Sequence, residues 1–255
     1  VSGFNTGNVT NMTNMFFYCS TLTEIDVSKW DTSKVTSMYA MFYNCSNLNK
    51  IEVSGFDTSK VTNMFGMFNN CSALTKIDVS RFDTSNVTNM SLMFYNCSAL
   101  TEIDVSNWNT SKVTNMEAMF NNCSNLIEID VSGFDTSNVT SMSFMYNNCS
   151  ALTKIDVSEF DTSNVTSMSF MFYNCSNLTT TISILENNVV NYGGMFSNAA
   201  RQNGAKITVN YTSETSSLVD NMIATKSTNS NVVKGSQITV PISLMSLFSE
   251  KEIVA

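Results

Sequence analysis

The sequence has no histidine, one proline, nine glycines and only two arginines, Arg81 and Arg201, in 255 residues. Each shortage excludes something. Without imidazole there is no Ser-His-Asp or Cys-His nucleophile activation and no histidine metal site. Charged residues make up 13% of the chain, about half the usual share of a soluble domain, with a net charge of −8. Scarce arginine and an acidic balance argue against nucleic acid, which calls for clustered positive charge. No apolar run approaches the ~20 residues of a membrane-spanning helix. With 43% apolar and 11% aromatic residues, disorder and collagen are excluded as well. These absences lead us to expect a non-enzymatic chain with no cofactor, no metal centre and no nucleic-acid partner.

What is abundant is regular. The seven cysteines are Cys19, Cys45, Cys71, Cys97, Cys123, Cys149 and Cys175, and every gap is 26 residues. A fixed period of this length is the signature of a solenoid, propeller or array. Aromatics follow the same ruler at Phe4, Trp30, Phe56, Phe82, Trp108, Phe134 and Phe160. Two methionine columns begin at Met12 and Met15, and a third apolar column runs Phe16, Phe42, Phe68, Phe94, Phe120, Tyr146, Phe172. In one unit, Leu48-x-x-Ile51-x-Val53 alternates at the β period, which predicts a short strand with Lys50, Glu52 and Ser54 outward. Asp57-Thr58-Ser59 is turn and N-cap chemistry. Val61, Met64, Met67 and Phe68 recur near the helical period and predict a short α or 3₁₀ segment. One unit buries too few side chains to offset its backbone entropy, so the units must stack.

The phrase Trp30-Asp31-Thr32-Ser33-Lys34-Val35-Thr36-Ser37-Met38, continued by Met41-Phe42-Tyr43-Asn44-Cys45-Ser46, resembles the bacterial surface protein repeat of the BspA-like leucine-rich-repeat family. The subgroup it is similar to is the domain of unknown function found in Mycoplasma and Firmicutes surface proteins. The pattern recurs seven times between Val1 and Leu178, with Asn5 and Asn109 in place of its Asp and Tyr146 in place of its Phe. The resemblance implies a leucine-rich-repeat-like solenoid on an exported, cell-surface protein that binds ligands of a host or a neighbouring cell.

The expected architecture is therefore a right-handed solenoid, with a short parallel strand and a short helical segment in each coil and an α+β C-terminal cap. Residues 1–178 form seven repeats, the first partial. Residues 179–205 hold a degenerate eighth around Gly193-Gly194-Met195-Phe196, two residues out of phase. Residues 206–255 form the cap, with strands at Lys206–Tyr211 and Gln237–Val240, a helix at Ser216–Thr225 and an ambiguous tail from Ser243. The chain begins within a unit, which suggests a fragment or processed product, so a missing signal peptide says nothing against export.

Several columns invite chemistry. Equivalent positions on stacked parallel strands lie ~4.8 Å apart, whereas a disulfide wants converging Cβ atoms ~3.8 Å apart. One thiol per coil also cannot surround a metal, so the cysteines are expected to be a buried thiol ladder. The asparagines before them (Asn44, Asn70, Asn96, Asn122, Asn148, Asn174) should form an amide ladder, and the threonine columns starting at Thr32 and Thr36 should cap turns. The candidate site is the outward strand face: Asp26, Glu52, Asp78, Asp104, Asp130 and Asp156 in one row, Glu24, Lys50, Lys76, Glu102, Glu128 and Lys154 beside it. Like charges opposite one another repel. Such a row is a solvated sheet face, a concave surface for a protein or glycan of a host or microbial surface, or a weak Ca²⁺ site. The resulting functional expectation is an extracellular, adhesin-like binding protein, with a structural spacer as its rival and a polysaccharide-active enzyme as a remote third.

Overall fold

The computed structural model describes residues 3–239. It is a parallel β-solenoid of eight stacked coils, as the column of parallel bridges running Asn11, Ser37, Asn63, Asn89, Asn115, Ser141, Ser167, Asn191 demonstrates. Seven coils repeat at 26 residues. The eighth, at Asn191, comes 24 after Ser167, which is the two-residue slip visible in the sequence.

The segment read as helical is not a helix; among the described residues the one helix is α1, Ser216–Ile223, in the C-terminal region. In its place each coil makes consecutive turns. Met41, Tyr43 and Cys45 donate their N–H groups three residues back, to the carbonyls of Met38, Ala40 and Phe42 (each 3.2 Å). The N–H groups between them go to the next coil: Met38 to Asn63, Ala40 to Phe65, Phe42 to Met67 and Asn44 to Asn69, at 2.7–3.1 Å. Ala40 (φ 50°) and Asn44 (φ 60°) occupy the left-handed region, as the third residue of a type II turn does. These residues break any helix and turn every second amide outward. A 3₁₀ helix and a β-turn close the same i→i+3 bond, so the apolar spacing Met38, Met41 could not distinguish them.

The opposite side of the coil is the strand side, and it is looser. β1 (Glu24–Asp26) and β2 (Lys50–Glu52) pair in parallel, in register, Ile25 opposite Ile51. In the middle coils the strand is reduced to single contacts, such as Thr101 N–H to Thr75 (3.2 Å) and Ile127 N–H to Thr101 (3.4 Å). The coils are thus gathered by the turn ladder and spread at the strand face.

Between these sides the core is layered by column. Eight rings from Phe16 through Tyr146 to Phe196 stack in one file, centroids 5.2–6.1 Å apart and planes within 10°. The methionine, valine and leucine columns are buried beside it from the second coil onward. In the first coil Phe4 and Met15 are exposed and Cys19 is half-buried. The other six cysteines are buried free thiols. Each donates to the carbonyl of the ring residue one coil before, as Cys71 Sγ does to Phe42 (3.3 Å) and Cys175 Sγ to Tyr146 (2.9 Å). Burial pushes Cys45, Cys97 and Cys149 up to about 12.

The threonines do not cap turns within their own coil; they tie coils together. Thr32 Oγ1 donates to the Asp57 carbonyl of the next coil (2.9 Å), and Thr36 Oγ1 to Thr10 of the previous one (3.2 Å). The amide ladder is present: Asn70, Asn96 and Asn122 each donate through Nδ2 to the Oδ1 of the asparagine one coil before, and Asn174 does so to Asn148 at 3.0 Å.

After the repeats, β3 (Thr179–Ile184), β4 (Lys206–Tyr211) and β5 (Val232–Gln237) form a parallel sheet in that order, with α1 between β4 and β5. β3 continues the strand side through bridges Lys154 to Thr179 and Val157 to Ile182. Among the described residues the last strand is therefore β5, which ends at Gln237, where the strand expected from the sequence, Gln237–Val240, begins. Val232 is its buried apolar anchor, and the Gly235 and Ser236 inside it had disguised it. Val240 and the tail from Ser243 lie outside the described residues. Helix α1 buries Val219 and Met222, while Leu218 and Ile223 are partly buried. On the turn side, the N–H groups of Phe196 and Asn198, which in earlier coils would meet another coil's carbonyls, go to Thr225 Oγ1 (3.2 Å) and Ser227 Oγ (3.0 Å).

Candidate functional site

All twelve strand-face residues singled out from the sequence are exposed on one side of the solenoid. They fall into two hollows. One, of about 820 Å³, runs across four coils between the row Lys76, Glu102, Glu128, Lys154 and the row Asp78, Asp104, Asp130, Asp156. Its floor is the strand backbone of Ile77, Ile103, Ile129 and Ile155, whose side chains point inward and are 3–8% exposed. The second, about 660 Å³, holds Glu24, Asp26, Lys50 and Glu52 together with Phe16 and Leu22. The longer groove carries two lysines against six carboxylates, four negative charges in excess.

Electrostatics alone would make this face costly. Asp26 lies opposite Glu52 in register, and like charges on paired strands repel. Lysine relieves little of this: one ion pair crosses coils here, Lys76 Nζ to Glu102 Oε1 at 2.6 Å, with both side chains about two-thirds exposed, a geometry worth about 0–1 kcal/mol. The relief comes from serine. Ser28 N–H (3.0 Å) and Oγ (2.6 Å) both donate to Asp26 Oδ1. Ser80, Ser106, Ser132 and Ser158 do the same for Asp78, Asp104, Asp130 and Asp156, and Ser54 for Glu52. These bonds hold the carboxyls of Asp26, Asp78, Asp130 and Asp156 below their ordinary value. At Asp130 the serine outweighs the opposing charges of Asp104 and Asp156. The six serines were missed as site residues, although the recurring Asp-Val-Ser triplet is the signal that would have found them.

The serine-held carboxylates from Asp26 to Asp156 thus form a row of separately anchored anions, one per coil and converging on no common point. Among the described residues no three Asp, Glu, Cys or His side chains are grouped to hold a metal ion. Among them, too, no helix is long and apolar enough to cross a membrane. The arrangement can offer an extended partner a line of fixed acceptors with lysines toward its ends.

Fold and face together define a repeat solenoid protein, built coil on coil from one 26-residue unit. The chain belongs to the family described as "Mycoplasma protein of unknown function, DUF285", whose model matches residues 1–103 and again 92–211. Each match spans about four coils. Neither a curated protein nor a solved structure matches the chain.

Proposed function

We propose that the protein is a non-enzymatic repeat protein of a bacterial cell surface or of secreted material, adhesin-like, whose strand face binds a protein or glycan of a host or microbial surface. The observation that carries this reading is the open groove across four coils, lined by six carboxylates of which the four aspartates are held by serines. The repeat phrase that resembles BspA-like leucine-rich-repeat surface proteins supports the extracellular assignment. The hydroxyls that take the last turn-ladder amides, on Thr225 and Ser227, support a closing role for the C-terminal region. The purified protein should be screened on extracellular-matrix and glycan arrays, beside a variant with Glu102→Lys, Asp104→Lys, Glu128→Lys and Asp130→Lys. Loss of a specific signal in the variant supports the reading; an empty screen, with unchanged adhesion of a deletion strain, counts against it.

A second reading, a spacer that holds another domain off the cell, is favoured by the uniformity of the coils. It requires that the charge-reversed variant keep its biological role.

A further inference from the structure

The turn side is chemically unlike the strand face. In the first four coils its segments, residues 11–20, 37–46, 63–72 and 89–98, contain no charged side chain, and the first charge to follow on this face is Glu117. What they expose is aromatic and amide. Phe17 and Tyr18 are 44% and 59% exposed, Tyr95 is 36% exposed, and Tyr39, Tyr43 and Phe65 are partly buried. The rings are shingled along the axis: Phe17 to Tyr43 5.1 Å, Tyr18 to Tyr43 5.9 Å, both 29° from parallel, and Tyr39 to Phe65 4.7 Å at 7°.

Tyr43 lies down on the surface. Its Cδ2 comes within 3.3 Å of where a Cβ on Gly66 would stand, and Gly66 occupies the left-handed position filled by alanine, leucine or phenylalanine in the next four coils. With no side chain there, the ring packs over the Gly66 backbone on the side of the next coil, while Phe17 and Tyr18 stack on it from the coil before. Beside the rings runs the ladder of Asn44, Asn70 and Asn96 amides.

We propose that this charge-free turn face of coils one to four is a platform for a neutral glycan. The exposed parts of Phe17, Tyr18 and Tyr95 suit the apolar C–H faces of pyranoses, and the amides and phenol hydroxyls suit their hydroxyls. The ring-to-ring steps of 4.7–5.9 Å approximate one sugar residue along an extended chain. The absence of charge selects against anionic polymers and gives a charged protein surface nothing to complement. The proposal is independent of the strand-face reading, because it uses none of those residues.

Affinity electrophoresis of the whole chain tests it, with hydroxyethylcellulose, glycol chitin, laminarin and mannan as neutral probes and polygalacturonate as the anionic one. At least one neutral polymer should retard the protein. Tyr43→Ala should weaken that retardation about tenfold, one aromatic contact's worth. Tyr18→Ala, at a more exposed ring, should do likewise without risk to the fold, and unchanged thermal melting would confirm that it is folded. Glu159→Ala, an exposed residue outside both the turn face and the strand-face groove, should change nothing. No retardation by any neutral polymer, retardation by polygalacturonate alone, or full retardation of a folded Tyr18→Ala variant would each overturn the proposal.

Discussion

Tyr146 stands in a file of seven phenylalanines, fully buried, and its hydroxyl has no hydrogen-bond partner. Burial pushes its pKa well up, so the phenol stays neutral. A buried hydroxyl without a partner costs about 1–3 kcal/mol, and removing it leaves a ring whose stacks on Phe120 and Phe172 need not move. Tyr146→Phe should therefore stabilise the protein by about 1 kcal/mol, read as a higher denaturation midpoint at unchanged slope. An unchanged or lower midpoint would show that the hydroxyl is satisfied in solution. The thiols follow the same logic of burial. Six are enclosed, with a carbonyl to donate to and, for three, a pKa near 12, while Cys19 in the first coil is half-exposed. Native protein at pH 8 should release one equivalent quickly to a disulfide reagent and the other six only on unfolding. Seven equal slow thiols would contradict the assigned burial of the first coil. The 26-residue period announced the ladder, but not that Cys19 is less buried than the other six rungs.

At the scale of the element, the turn ladder is where sequence reading and structure part. The strand, the C-terminal helix and β4 follow from ordinary periodicity, because alternating or helical burial leaves its mark on the apolar pattern. The beaded turns leave a near-helical mark instead. The signal for them was the asparagine column, since asparagine tolerates positive φ and recurs where the left-handed residue is required. Asn70 (φ 57°) also donates to Asn44 and accepts from Asn96. Asn70→Ala should cost about 1–2 kcal/mol from backbone strain plus the ladder bonds, whereas Asn70→Gly removes the strain and should recover about half of the loss. Equal losses would mean that the conformation is not strained. The Asp-Ser pairs of the strand side and of the turns at Asp31, Asp57 and Asp83 set the acid behaviour. Their carboxyls titrate lower when folded, so the ionised form stabilises the fold above the ordinary value near 3.8, and that contribution is lost as pH falls from there through the depressed folded values. The melting temperature should hold between pH 7 and 5 and then drop below about pH 4. Replacing Ser28, Ser80, Ser132 and Ser158 by alanine should flatten the drop; an identical acid profile in that variant would remove the serines from the account.

For the whole molecule, the period specified the coil count and the face that carries the acidic rows, because register between stacked coils is fixed by a constant repeat. It did not reveal which side gathers the coils, since that depends on amide directions rather than on side-chain type. It also did not mark the charge-free turn face as a surface, because its rings do not keep strictly to the repeat: the column of Phe17, Tyr43 and Tyr95 is interrupted by Asn69. The stack makes one strong demand: each coil must meet a neighbour with the same residue at every level. Excision of residues 80–105 joins Val79 to Ser106 at the same point of the coil. Phe68 would then stack on Phe120 in place of Phe94, and the Met64 amide would meet Asn115 in place of Asn89. The shortened chain should fold, with the same spectroscopic signature per residue. Its denaturant slope should fall by about a tenth, the share of the chain removed, because that slope scales with the surface buried, and repeat stacks gain stability from nearest neighbours. Excision of residues 80–92 alone sets a strand against a turn, separates the Asn, Cys and Phe columns, and should leave the protein unfolded. If both deletions fold equally well, coil-to-coil registry is not what holds this solenoid. If neither folds, its stability is not a sum over neighbours but a property of the full eight-coil stack with its C-terminal sheet.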